Sequence, residues 1–372
     1  MVSSALIHLG VSLIASLPIA YHFRNNDGGA GDSTATAKRI FVGAMWAIFL
    51  GIPLVDHDDM SLHSFETMMT ASLAFMMALK LTQVVIYPPL PRKRKDKAED
   101  NINVSSFDWK DFGRFVGDVL FYMLPVSRTE ELPNRTKFLY KAMEYIFFIG
   151  VKMLAASTTQ ILMLRILDDE HLKSDEMLHF TSATYGKLLI LFGVSVAANS
   201  WQQDVQGLLI YLVTLGRYTM LSFYDYVFLS SSLKEFWGRR YNRLVNHLIL
   251  HTVYIPAQTY HNYSKRISGF LAFAVSGVLH SYVAHFSFGR GHLRSILFFL
   301  AQPIWMEIES HLRLPAGRTH FFFFISLYLY LGLFVEAMPD WMVVNPAPAT
   351  LPLIDDRMAP KLADIILQTG LL

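Results

Sequence analysis

Apolar runs close to the thickness of a bilayer's hydrocarbon core recur along almost the whole chain. Nothing else in the sequence constrains the fold as strongly. They cover residues 5–21, 40–55, 65–87, 143–164, 185–198, 207–229, 267–288, 293–306 and 320–338, with a shorter, more polar run at 244–260. A helix of about 20 apolar residues spans a membrane, so the pattern predicts about eight to ten spans. Charged residues make up only 17% of the 372, and 53% are hydrophobic. A soluble surface needs roughly a quarter of its residues charged. The expected fold class is therefore all-α: a polytopic helical membrane protein, read as one membrane-embedded domain.

The placement of charge predicts orientation, because short cytoplasmic loops collect Lys and Arg. The cluster Arg92-Lys93-Arg94-Lys95-Asp96-Lys97 is expected to be cytoplasmic, as is Arg128 to Lys141. The acidic stretches Asp56-His57-Asp58-Asp59 and Asp168-Asp169-Glu170 then fall outside. Residues 1–21 lack a basic start and a good cleavage site, so they read as an uncleaved first span rather than a signal peptide. If 185–198 and 207–229 each crossed once, Lys234, Arg239, Arg240 and Arg243 would lie outside, against the rule. One of those runs is expected to be broken or re-entrant. Irregular backbone at membrane depth is tolerated where it is buried in protein or lines a wet cavity.

The chain then divides into N-terminal spans (1–90), a basic loop with an interfacial helix (91–141), central spans (142–230), a segment that holds the candidate functional residues (231–310) and a last span with its tail (311–372). The interfacial helix is expected at 107–124. There Asp108, Asp111, Arg114 and Asp118 share one face, and Phe112, Phe115, Val119 and Tyr122 share another.

Two places carry chemistry. His280 sits deep in the run 267–288, where an ionisable side chain is costly and marks a functional candidate. Ser276, one turn earlier, shares its face; the other reading of His280 is a packing hydrogen bond between helices. The second place is Trp237-Gly238-Arg239-Arg240-Tyr241-Asn242, which joins interfacial aromatics, paired guanidiniums suited to phosphate, and an amide. Its other reading is a basic loop on anionic lipid. His247 and His251 have the i, i+4 spacing of metal ligands on a helix, but no His-His pair exists among the 14 histidines, and no metal is expected. Lys152, Lys187, Arg217 and Asp225 lie in apolar runs, where they line a pathway or pair with one another. The chain has no cysteine, which removes disulfides and a cysteinyl acyl-enzyme. It also lacks a Gly-rich phosphate loop, a Gly-x-Ser-x-Gly elbow and a His-Glu-x-x-His helix.

The ordered pair Ser-Leu-Lys-Glu-Phe-Trp-Gly-Arg-Arg-Tyr-Asn (232–242) and Ser-Gly-Val-Leu-His-Ser-Tyr (276–282) resembles the membrane-bound O-acyltransferase superfamily, and within it the wax synthase branch. Phe298-Phe299-Leu300-Ala301-Gln302-Pro303, followed by Glu307, is similar to a third stretch of that branch. The likeness covers roughly residues 230–309. Tyr241 stands where the branch usually has Trp, and Ser281 where Glu is common.

The resemblance implies a helical fold around an intramembrane chamber in the endoplasmic reticulum membrane. It implies His280 as the catalytic histidine and Asn242 as its partner, with Trp237, Arg239, Arg240, Tyr241, Ser276 and Gln302 at the substrates. The implied reaction moves a fatty acyl group from acyl-CoA, the co-substrate, to a long-chain alcohol, giving a wax ester and CoA. A sterol, terpenoid or diacylglycerol is the alternative acceptor. No further cofactor and no nucleic-acid partner are expected; membrane lipids are. A transporter with His280 as proton relay is the rival class, which an internal repeat would favour; none is found.

Overall fold

The computed structural model describes residues 4–25, 32–55, 65–87, 109, 112–113, 115–116, 119, 126–129, 131–169, 186–187, 190–191, 193–194, 197–198, 200–289, 292–312 and 353–370. The expected basic loop at 92–97 and the span at 320–338 lie outside them. Among the described residues, five helices are long and apolar enough to cross a membrane. The protein is a polytopic helical membrane protein.

Helices α1 (Ser4–Asn25), α2 (Asp32–Val55) and α3 (Phe65–Ile86) pack together. In α1, Leu9, Leu13 and Leu17 face the core while Ile7, Val11 and Ile14 stay exposed. A helix apolar on both faces suits a protein interior on one side and lipid on the other. In α3, Ala71, Ala74 and Ala78 are fully buried, and small side chains let neighbours approach closely. The interfacial helix expected at 107–124 is described only in part. Its Phe112, Phe115 and Val119 pack into this first core, with Phe112 and Phe115 edge-on to Tyr21.

Strand β1 (Val126–Arg128) leads into α4 (Arg135–Asp169), which packs antiparallel to α5 (Trp201–Val213). Phe138 stacks on Tyr211, Tyr145 lies on Gly207, and Lys152 pairs with Asp204 at 2.6 Å, which sets that register. The outer face of α4 exposes Tyr140, Met143, Phe147 and Val151.

The expected span 207–229 is corrected here. Helix α5 stops at Val213, and the chain turns through Leu215 and Gly216, both at positive φ (52° and 76°). It then forms β2 (Tyr218–Met220), antiparallel to β1. A Cβ on Gly216 would meet Pro133 Cγ at 2.5 Å, so both the φ and the contact demand glycine. The end of α5 thus returns to the face where α4 begins. Between β2 and Leu233 the only helix is a short 3-10 turn, Val227–Leu229. Lys234 to Arg243 therefore stay on the face of Arg128 to Lys141, as the positive-inside rule requires.

The run 244–260 is not one helix either. The chain passes from α6 (Leu233–Glu235) through a π turn (Phe236–Arg240) to α7 (Arg243–Ile249). A second π turn (Leu250–Tyr254) and α8 (Ile255–Thr259) follow. This broken segment packs between α3 and α9 (Lys265–Phe288). Tyr260 meets Tyr87 at the end of α3. Helix α9 ends at Gly289 and is followed by α10 (His292–His311), which packs along it. An ion pair between Arg266 and Glu307 ties the start of α9 to the end of α10. Helix α11 (Ala359–Gln368) lies on α4 through Arg165 and Asp364.

Candidate active site

The site is built where the broken segment crosses the α9–α10 pair. Ser232 caps α6 by accepting from the Glu235 amide at 3.0 Å. The buried Glu309 carboxylate accepts the Leu233 amide, at 3.0 and 3.2 Å to its two oxygens. Glu235 accepts from the Ser231 hydroxyl (2.6 Å), the Ser231 amide (2.9 Å) and Arg240 Nε (2.7 Å). These bonds, led by the Ser231 hydroxyl, hold its carboxyl at about 2, well below the usual carboxylate range. Arg240 also donates to the Asp225 carbonyl, so its guanidinium is committed to the backbone of this turn. Arg239 is exposed and has no side-chain partner among the described residues.

Asn242 follows with φ 40° and ψ 61°, a left-handed conformation that asparagine tolerates better than most residues. Its Oδ1 accepts from the Val245 amide at 3.3 Å and caps α7, which leaves Nδ2 as a donor. Around it, the Arg243 amide donates to Phe223, the Asp225 amide to Arg240, and Asn246 Nδ2 to the Gly238 carbonyl. The broken backbone is thus satisfied by partners within the protein.

Trp237 projects into a ring cluster with Tyr241, Phe273, Phe298 and Phe299 at centroid distances of 5.1 to 6.3 Å. Its indole N–H donates to Gln302 Oε1 at 2.8 Å, and Gln302 Nε2 donates to the Phe298 carbonyl. Phe299 lies between Trp237 and His280, whose ring centroid is 4.2 Å from its own. Gly277 permits this approach. A Cβ there would meet Ile296 Cα at 3.2 Å and Phe299 Cβ at 3.3 Å.

His280 lies about 22 Å along α9 from Lys265, at ~1.5 Å per residue. Its Nδ1 is 2.8 Å from the Ser276 carbonyl oxygen. A carbonyl only accepts, so Nδ1 carries the proton, and a neutral ring has its lone pair on Nε2. Sequence reasoning placed Ser276 one turn earlier on the same face; it is its backbone carbonyl that makes the bond.

The expected residues therefore fall into two groups. Trp237, Tyr241, Gln302, Ser276 and His280 belong to one connected cluster. Arg240 and the Asn242 oxygen hold the backbone that presents it. His247 and His251 face each other at 4.4 Å elsewhere, beside Lys80 of α3, whose positive charge disfavours a metal cation there. Glu235 and Glu309 were missed as site-builders. Gly277 stands in the sequence among the small residues of its run, which let neighbouring helices approach closely.

Residues 220–301 match the family model described as Membrane bound O-acyl transferase family. Over 125 residues the chain is 34% identical to Acyl-CoA--sterol O-acyltransferase 1 of Arabidopsis thaliana, a match covering 31% of this chain and 35% of that protein. The chain thus spans about a third of the length of the curated relative it matches. Trp237, Asn242, Ser276, His280 and Phe299 all lie inside the stretch that is similar to the membrane bound O-acyl transferase family.

Proposed function

We propose that the protein is an acyl-CoA-dependent O-acyltransferase that esterifies a lipid alcohol inside the membrane. The observation that carries this reading is the His280 ring. A carbonyl fixes its tautomer, an aromatic face holds its plane, and Nε2 is left as the base. Nε2 takes the proton of the acceptor hydroxyl while its oxygen attacks the thioester carbonyl carbon. The C–S bond then breaks, and the leaving thiolate of CoA takes the proton from the imidazolium. Asn242 Nδ2 donates to the oxyanion or orients the hydroxyl. Arg239, exposed on the basic face, offers the CoA phosphates a guanidinium without a competing partner.

A long-chain fatty alcohol is the acceptor favoured by the motif at 237–242, with a wax ester as product. A sterol is the second reading, supported by the name of the similar plant protein. The endoplasmic reticulum membrane is the proposed location.

Purified protein with radiolabelled acyl-CoA and a panel of hexadecanol, sterol and diacylglycerol tests the proposal. We expect CoA release with one acceptor and its loss in His280→Ala. No release with any acceptor sinks the enzyme reading. Full activity in His280→Ala sinks the site assignment.

A further inference from the structure

A second site lies away from His280. A cavity of about 490 Å³ opens between the β1–β2 ladder, the first turns of α4 and the end of α5. Lys137, Lys141 and Glu131 line it, along with Thr136, Tyr140 and Tyr211. Lys141 is partly neutralised by Glu144 at 2.9 Å. Lys137 and Glu131 make no ion pair with each other or with any described residue, although both border the same space. A cavity with a cation and an anion that do not neutralise each other suits a ligand carrying both charges.

Its position narrows the ligand. The cavity lies on the face where Lys and Arg collect, at the level where α4 begins. Thr136 and Tyr140 on its wall continue down α4 as Met143, Phe147 and Val151, spaced by three or four residues along one face. The last four of these are exposed, apolar or aromatic, and suited to acyl chains. The charged side chains bordering the cavity and the apolar stripe below it together have the layout of a phospholipid.

We propose that this cavity binds the headgroup of a zwitterionic phospholipid. The phosphate would lie against Lys137 and Lys141, the ammonium against Glu131, and the acyl chains along Tyr140, Met143 and Phe147. Nothing in this assignment depends on the acyltransferase reading.

Native mass spectrometry of the full chain tests it, with no activity readout. Protein in detergent is equilibrated with phosphatidylethanolamine, phosphatidylglycerol or diacylglycerol, with and without millimolar inorganic phosphate. We expect phosphatidylethanolamine to be retained several-fold better than the other two and not to be displaced by phosphate. Retention should fall about fivefold in Lys137→Gln, as for one lysine near a lipid headgroup. Glu131→Gln should shift the preference toward phosphatidylglycerol. Thr136→Trp, which fills the cavity without altering charge, should lower retention of every phospholipid. Equal retention of phosphatidylglycerol by the wild type overturns the proposal. So does an unchanged preference in Glu131→Gln, or displacement by phosphate, which would make the site one for a soluble anion.

Discussion

Replacing Gly277 by alanine should separate stability from turnover. Alanine gains about 1 kcal/mol over glycine in a helix interior. Against that, its Cβ would lie 3.2 Å from Ile296 Cα and 3.3 Å from Phe299 Cβ, so α10 must give by a few tenths of an ångström. Overpacking of this kind costs about 1–3 kcal/mol, leaving a net loss of roughly 0–2 kcal/mol. The same displacement moves Phe299, on which the His280 ring rests at 4.2 Å. Reacting groups displaced by about 1 Å can lose a factor of about 100, so a shift of a few tenths should lower turnover by about three- to tenfold. Gly269 is the control: it lies on the same helix, and a Cβ there meets nothing within 4 Å. Gly269→Ala should gain the full helix preference and keep wild-type turnover. CoA release by both variants, alongside thermal unfolding in detergent, is the assay. Equal turnover in Gly277→Ala and Gly269→Ala would refute the claim that close α9–α10 contact sets the His280 ring.

Gln302→Leu should destabilise the protein by about 0.5–1.5 kcal/mol, because it removes the acceptor of the half-buried Trp237 N–H; Trp237→Phe added to it should recover part of that loss in an equilibrium unfolding cycle. Glu235 is held at about 2 against an ordinary 4.5, so its contribution is complete above about 4.5 and fades as pH falls toward 2. Glu235→Gln should flatten the dependence of melting temperature on pH across that window; an unchanged slope argues against the Ser231–Glu235–Arg240 clip. Lys152→Ala leaves Asp204 without its partner and should cost about 2–3 kcal/mol. That is below the value for a fully buried pair because the Lys152 side chain keeps 29% exposure. Lys152→Met with Asp204→Leu should restore most of the loss.

Much of the membrane architecture was readable from the sequence, because hydropathy reports directly on the solvent a helix faces. Helices α1, α2, α3, α4 and α9 each coincide with an expected apolar run. The run 207–229 misled for a specific reason. Its hydropathy continues past Val213, whereas the break depends on two left-handed residues and on the room Pro133 leaves at Gly216. His280 stood out in the sequence because an ionisable side chain deep in an apolar run is conspicuous. Its tautomer was not, since that rests on a backbone carbonyl. Arg240 read as a phosphate ligand because its sequence neighbours are basic and aromatic. Its actual partners are Glu235, one turn away, and the Asp225 carbonyl, which local charge patterning does not reveal.

Two π turns and a left-handed asparagine free backbone groups that an unbroken helix would satisfy. The chain's polar residues there answer that need. Glu309 takes the Leu233 amide, Arg240 the Asp225 carbonyl and Asn246 the Gly238 carbonyl. The cluster around Trp237 is thus partly scaffolding that makes a non-helical entrance possible. Glu309 tests this most directly, because it lies outside the reacting cluster and holds the first residue of α6. Glu309→Gln keeps one acceptor oxygen for the Leu233 amide and should preserve that bond. Glu309→Leu removes both and leaves a buried N–H unsatisfied, at about 1–3 kcal/mol. That loss falls on the turn that carries Trp237, so CoA release should drop along with stability. Hydrogen exchange at the Leu233 amide should accelerate in the leucine variant and not in the glutamine variant. Equal exchange in the two would mean that Glu309 does not hold the segment in place.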